Sequence, residues 1–510
     1  MNFAESLTIQ SYRFPKKVAI KDDMRAITYR MLNSRVNSLT HGLVNLGLVK
    51  GDIVCQLQGN TIEHLETLFA LGKGGMIRLP LNPRGNDEEW VNIINSFEPK
   101  ALIFEEVFAP AVAEFRGGLS ACSHYVCIGR KPFPDAVFYD DLVTGFSKSE
   151  PDIHVEESDP FIVQSTSGTM GAPKAALLSQ GNTIRRALIR AVDLGNHSKG
   201  VYLAATSLAN TASTFYSLSQ LYIGGAVILR GRFDPVDFLK TIEREKVTNV
   251  SFVPVMGERI LEVPNLEDYD LSSLEFMIVY GAPLHAHTKK RLIEQVSLNL
   301  VETYGISESG PITMLMPKDQ LRKQDSVGQP TMHTRIKIMD SSGKTLPAGQ
   351  EGEIVVQTPY LFMGYLNNPE ETAKVLKDGW FHTGDIGRLD EECYLSIRGR
   401  SKSIIISGGY NIYEEEVEQV LAVHPKIREV VVIGVPDERW GEAVKAIVVL
   451  RPDAEATEEE LIDFCKKKLP SYKKPQSIDF LTSLPRASAG KVAKQKLRDK
   501  YWQGYEKRIA

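Results

Sequence analysis

The sequence predicts an α/β protein: a large N-terminal region of layered α/β subdomains with a β-rich subdomain, followed by a small α+β unit. Three observations carry this reading. The 510-residue chain is longer than one ordinary hydrophobic core organises, so two or more domains are expected. From about Thr28 to Leu229, apolar residues at helical spacing alternate with short apolar runs, as a layered α/β domain requires. Beyond Asp325 the pattern changes to short alternating strands, and the end of the chain has a strand pair and helices of its own.

Taken in order, Val36, Leu39, Leu43 and Leu46 share one helical face, and Lys50-Gly51-Asp52 turns the chain into the strand Ile53-Val54-Cys55. The cycle repeats through Thr61 to Leu71 and Gly75-Met76-Ile77. Asp234 followed by Pro235 reads as an N-cap with proline in the first turn, opening a helix to Lys246; strand-like Val250 to Pro254 follows. The apolar runs Phe276 to Val279 and Leu298 to Val301 lead into loops at Gly281-Ala282-Pro283 and Tyr304 to Glu308. Loops at the carboxyl ends of parallel strands are where α/β folds place ligands. Gly352 to Val356 is a strand of the β-rich subdomain. Arg428 to Val435 and Ala443 to Leu450 form a strand pair, Thr457 with Glu460 makes a capping box before a helix through Leu469, and the basic tail from Lys491 to Arg508 reads as a solvated helix face.

Composition narrows the function classes. With 60 basic and 64 acidic residues the net charge is -4, so nothing draws the chain broadly to nucleic acid or an anionic membrane, and any bound anion needs a local site. Five cysteines without a CxxC pair or a histidine cluster are expected to be reduced thiols, not zinc ligands. No signal peptide or spanning stretch is evident, so the expectation is a cytoplasmic protein without membrane insertion; a homodimer is compatible with the sequence.

The chemistry is carried by three separated motifs. Thr166 to Lys174 is a hydroxyl-rich glycine loop ending in lysine, in which glycines let backbone N–H groups approach phosphate oxygens while hydroxyls and an ammonium add donors. It lacks the GK[ST] ending of a Walker loop. Gly379-Trp380-Phe381-His382-Thr383-Gly384-Asp385 and Pro485-Arg486-Ala487-Ser488-Ala489-Gly490-Lys491 follow in order. Together they resemble the signature set of the adenylate-forming superfamily, the AMP-binding enzymes that include acyl- and aryl-CoA synthetases, luciferases and peptide-synthetase adenylation domains. The resemblance spans nearly the whole chain.

It implies an N-terminal ATP- and acyl-binding domain over 1–400 and a mobile C-terminal cap over 401–510, hinged near Lys402. The phosphates of ATP would meet Thr166, Ser167, Gly168, Thr169, Gly171 and Lys174; Glu308 would bind Mg2+. Gly281, Ala282, Pro283 and Tyr304, with Gly305 and Ser307 beside them, would surround adenine, and Asp385 with Arg400 would take the ribose hydroxyls. Lys491, acting with Glu308 and Thr169, would be the adenylation catalyst, since carboxylate and phosphate repel by about 4 kcal/mol at 4 Å in a partly screened site. Gly408 and Gly409 would line a pantetheine tunnel, with Trp440, Lys473 and Lys474 near coenzyme A. Asn210, Ser213, Tyr280 and Thr303 would border the acyl pocket. Asn210 stands where relatives carry histidine and Thr303 where glycine is common, which shrinks the pocket and favours a compact aryl or short carboxylate. Met170, Ala175 and Glu414 also depart from the family pattern, and for Glu414 in place of proline the sequence offers no interpretation.

The expected activity is therefore that of an acyl- or aryl-CoA synthetase using ATP, Mg2+ and coenzyme A: carboxylate plus ATP gives acyl-AMP, and the thiol then displaces AMP. The alternatives are a standalone adenylating enzyme that loads the pantetheine of a carrier protein, a luciferase-like oxygenase sharing the first step, and a nucleotide-binding regulator without catalysis.

Overall fold

The computed structural model describes residues 2–130, 133–166, 174–282, 284–400, 404–407, 410–437, 441–486 and 492–503. Four sheets organise these residues. The nine-stranded sheet runs in the order Gln329–Pro330, Gly310–Leu315, Leu300–Ile306, Phe276–Tyr280, Asn249–Phe252, Val201–Ala204, Ala226–Leu229, Val18–Lys21, Ala26–Thr28. Its centre is parallel and both edges are antiparallel. The eight-stranded sheet runs Gly364–Tyr365, Lys174–Ser179, Pro160–Thr166, Ile77–Pro80, Ile53–Leu57, Ala101–Glu105, His124–Ile128, Val137–Phe138.

Local chemistry sets many of the boundaries. Thr28 caps the helix Tyr29–Asn45 by accepting from the Met31 amide, and Asp234 caps Pro235–Glu245 by accepting from the Val236 and Asp237 amides. Ser179 and Asn182 form a reciprocal capping box that opens the helix Gln180–Asp193. The two large sheets share one core, in which Phe3 stacks on both Phe69 and Phe161. The outer faces are covered separately, around Phe252 and Leu292 for one sheet and Trp90 and Phe104 for the other.

The β-rich subdomain is antiparallel and joins Arg335–Met339, Gly352–Gln357, Trp380–Leu389, Leu376–Lys377 and Leu395–Arg400. After it comes a five-stranded sheet containing Ile427–Asp437 paired with Gly441–Leu450, with its own two cores around Val432 and Ile433.

Three expectations are corrected. The strand Leu300–Ile306 continues through Tyr304 and Gly305, because it pairs antiparallel with Gly310–Leu315; only residues 307–309 turn. Thr457 accepts from the Glu460 amide, but the Glu460 carboxylate bonds Lys426 instead of closing a capping box. The helix Lys494–Tyr501 is not simply solvated: Lys494 and Arg498 bond the carboxylate of Glu414, which is 1% exposed. That pairing gives Glu414 the role the sequence left blank. All five cysteines are free thiols, and among the described residues no helix is long and apolar enough to cross a membrane.

Candidate active site

The loops after Val201–Ala204, Asn249–Phe252 and Phe276–Tyr280 leave the carboxyl ends of adjacent parallel strands and open onto one cleft of about 3100 Å³. Its other walls come from the β-rich subdomain and from the C-terminal unit, including Glu415 and Lys494.

Glu308 lines this cleft on the 307–309 turn. It is 9% exposed, and its Oε1 accepts a 2.8 Å bond from the Tyr365 hydroxyl. The turn is held from behind by Arg186, whose guanidinium donates to the carbonyls of Ser307 (2.8 Å), Glu308 (2.8 Å) and Tyr360 (3.1 Å). Arg186 is fully buried, and desolvation pulls its pKa down to about 9. Gly305 is needed here, because a Cβ would lie 2.3 Å from the Gly310 carbonyl oxygen.

Tyr304 reaches the second motif, its hydroxyl donating to Asp385 Oδ2 at 2.5 Å. Burial and the neighbouring carboxylate push the Tyr304 hydroxyl far above its ordinary pKa, so it remains a donor. Arg400 sits opposite Asp385 in the strand pair and donates from Nε to Oδ1 at 2.9 Å. The bulge before Asp385 in the strand Trp380–Leu389 is fixed by Thr383, which donates to the Ile354 carbonyl and accepts from the Asp385 amide, and by Glu353, which accepts from the Gly384 amide. Among the described residues each Asp385 oxygen accepts one donor and keeps a second lone pair. A vicinal diol is a suitable partner for both.

Lys174 pairs with Glu371 and lies over the Tyr365 ring. Lys174 and Lys374 together hold the Glu371 carboxyl down at about 2. Gly281 and Ala282 line the cleft, and Gly281 adopts φ +86°, a conformation glycine takes without strain. Ser307 lines it too, its hydroxyl 3.4 Å from that of Thr211.

Of the acyl-pocket candidates, Asn210, Tyr280 and Thr303 line the cleft. Ser213 does not: it is fully buried, and its hydroxyl is spent on the Thr206 carbonyl at 2.8 Å. Lys473 is likewise committed elsewhere, to Glu416 at 2.7 Å from each carboxylate oxygen. Thr166 ends the strand Pro160–Thr166. Ser167, Gly168, Thr169, Gly171, Pro283, Lys402, Gly408, Gly409, Trp440 and Lys491 lie outside the described residues.

Sequence reasoning missed Arg186, Arg190, Tyr216 and Tyr365. No local signal marked the two arginines: they lie four apart on the same buried helix face as Ile184, Ala187 and Ala191, where such a pair ordinarily reads as solvated.

The decisive comparison follows from this arrangement. The AMP-binding enzyme profile matches residues 7–366, and the AMP-binding enzyme C-terminal domain matches residues 416–491. The chain belongs to the AMP-binding enzyme family. The adenylate-forming family includes a feruloyl-CoA synthase from Amycolatopsis sp., 35% identical over 489 residues that cover 96% of each chain. The fold superposes on the anthranilate CoA ligase AuaEII in complex with anthranoyl-AMP with a TM-score of 0.91, at 26% identity over 98% of this chain and 97% of that one. It matches ATP-bound MatB from Rhodopseudomonas palustris with a TM-score of 0.90, at 30% identity over 99% of this chain and 100% of that one.

Proposed function

We propose that this chain is an ATP-dependent aryl- or acyl-CoA synthetase, which joins a carboxylate to the α-phosphorus of ATP and passes the acyl group from the adenylate to the thiol of coenzyme A. The observation that carries this reading is that Glu308 and Arg400, drawn from motifs far apart in the chain, line one cleft at the ends of parallel strands, with Asp385 bonded to Arg400 and Tyr304 beside its wall. It is supported by relatives that carry CoA-ligase names over nearly their whole length.

The roles follow the family resemblance. Asp385 and Arg400 take the ribose hydroxyls, while Gly281, Ala282, Pro283 and Tyr304 border adenine. The 166–174 loop, including Thr169, takes the phosphates, and Lys174 exchanges Glu371 for a phosphate oxygen. Glu308 fits Mg2+, which accepts one or two carboxylates and completes its shell with substrate phosphates and water. A bound magnesium ion there would neutralise phosphate charge. Lys491 supplies a cationic point charge between the two anionic reactants.

The second half-reaction needs the space that Lys491 occupies. The division into 1–400 and 401–510, with a hinge near Lys402, provides for this: the C-terminal unit rotates and brings Gly408 and Gly409 to the thiol's path, with Trp440 near coenzyme A. Lys473 bonds Glu416, so it serves this path only by leaving that carboxylate.

Acid-dependent exchange of pyrophosphate into ATP, followed by AMP release on addition of free coenzyme A, tests the reading. Exchange without CoA-dependent AMP release would shift the acceptor to a carrier protein's pantetheine. Background exchange across a broad acid panel would favour a non-catalytic nucleotide binder.

A further inference from the structure

Arg190 is an oddity that the reaction above does not use. It lies on the cleft wall yet is only 5% exposed. Its Nη1 donates to the Arg186 carbonyl at 3.1 Å and its guanidinium is hydrogen-bonded to the Tyr216 hydroxyl, while its Nε has no partner among the described residues. Among the described residues no carboxylate forms an ion pair with it. Asp193, one turn on, is turned toward the Met332 amide at 3.4 Å. The guanidinium lies instead over the rings of Phe215 and Tyr216, 5.3 Å from each centroid. Burial draws its pKa down, so a charged group is being held in a dry place.

Its surroundings belong to the acyl side of the cleft. Tyr216 packs 6.2 Å from the Tyr280 ring, and the Tyr280 hydroxyl shares a 2.8 Å bond with Thr206. Thr303 lines the same region. Flat rings suit a planar substrate. A buried donor without an acceptor suits an oxygen on that substrate, and a long alkyl chain would leave it unsatisfied.

We propose that Arg190 determines acyl specificity by binding an electron-rich oxygen, phenolic or carboxylate, carried by an aromatic acid at the end remote from the reacting carboxylate. This rests on the synthetase reading and names the substrate class for the same site. Sites built to hydrogen-bond a substrate group discriminate strongly against analogues lacking it, because the protein donor is then left unpaired.

The test compares benzoate and cinnamate with their 4-hydroxy and 4-carboxy analogues as substrates for pyrophosphate exchange in the full chain, wild type and R190M. The expected result is a preference in kcat/KM of at least roughly tenfold for an oxygenated acid over its parent, falling to within about twofold in R190M. The hydroxy and carboxy arms tell which oxygen is taken. Arg190→Lys, which keeps the charge, retains part of the ratio, and the wild-type ratio decides the matter if R190M does not fold. A wild-type ratio near one, or a ratio unchanged in folded R190M, overturns the inference while leaving the synthetase reading in place. Absence of exchange with every acid overturns both.

Discussion

At the scale of single residues, the site is a set of side chains whose hydrogen bonds hold them in place before any substrate arrives. Asp385 is the clearest case, being 4% exposed and fixed by Tyr304 on one oxygen and Arg400 on the other. Hydrogen bonds to a charged group are worth about 1.5–3 kcal/mol each, so losing the anion should weaken nucleotide binding by roughly ten- to a hundredfold. Asp385→Asn is therefore expected to raise the KM for ATP in the exchange assay by that order. An unchanged KM would remove Asp385 from the ribose site. The sequence disclosed this residue because the Thr-Gly-Asp motif is local: Thr383 and Glu353 lock its bulge within the same antiparallel sheet. It did not disclose Tyr365, whose bond to Glu308 spans 57 positions and has no signature within either segment.

At the scale of elements, the helix Gln180–Asp193 links the phosphate-loop strand to the cleft. Its capping box fixes where it starts, and that start sets Arg186 behind the Glu308 turn. Arg186→Met would strip three carbonyls of their donor in a buried place, and the expected cost is about 3 kcal/mol of stability with loss of exchange activity. Thermal unfolding and exchange assays check the two parts, and a variant with wild-type melting would refute the anchoring role. Helix and strand periodicity was legible here, as were the proline and aspartate that open Pro235–Glu245. The inward arginines were not, because their partners are backbone carbonyls that exist only once the turn has folded.

The helix Lys494–Tyr501 adds a pH prediction. Among the described residues Lys494 pairs with Glu414 and Glu418 and lies near Glu415, Arg498 pairs with Glu414, and Glu418 also accepts from the Val432 amide. Burial with carboxylate crowding lifts the Glu418 carboxyl from 4.5 to about 7. A folded pKa above the unfolded one means that the native unit binds the extra proton. Its stabilising effect is complete below about 4.5 and is lost as pH rises toward about 7. Denaturation of the wild type across that window should show stability falling, and Glu418→Gln should flatten the slope; an equal slope in both would assign it to another group.

At the scale of the whole molecule, the order of strands in two large sheets was beyond the sequence, since it depends on which parallel edges meet across hundreds of residues. That the chain ends in a separate α+β unit was legible from the change of pattern, and its cores around Val432 and Ile433 bear this out. The cleft is walled by both parts, and Gly399 lies against Glu415, where an added Cβ would come 2.6 Å from its Oε2. Two reactions cannot share one small space if a catalytic lysine fills it during the first and a thiol must enter it during the second. Removing the lysine and stiffening the hinge should therefore give opposite defects. Lys491→Ala is expected to cut adenylate formation by on the order of a hundredfold or more, the scale of removing one preorganised donor, while thioester formation from supplied acyl-AMP is largely kept. Lys402→Pro, which restricts the backbone at the proposed hinge, is expected to spare adenylation and slow thioester formation. Measuring the two half-reactions separately in both variants distinguishes this from a general loss of folding, which would lower both together, and matched losses in either variant would rule out alternation about residue 402.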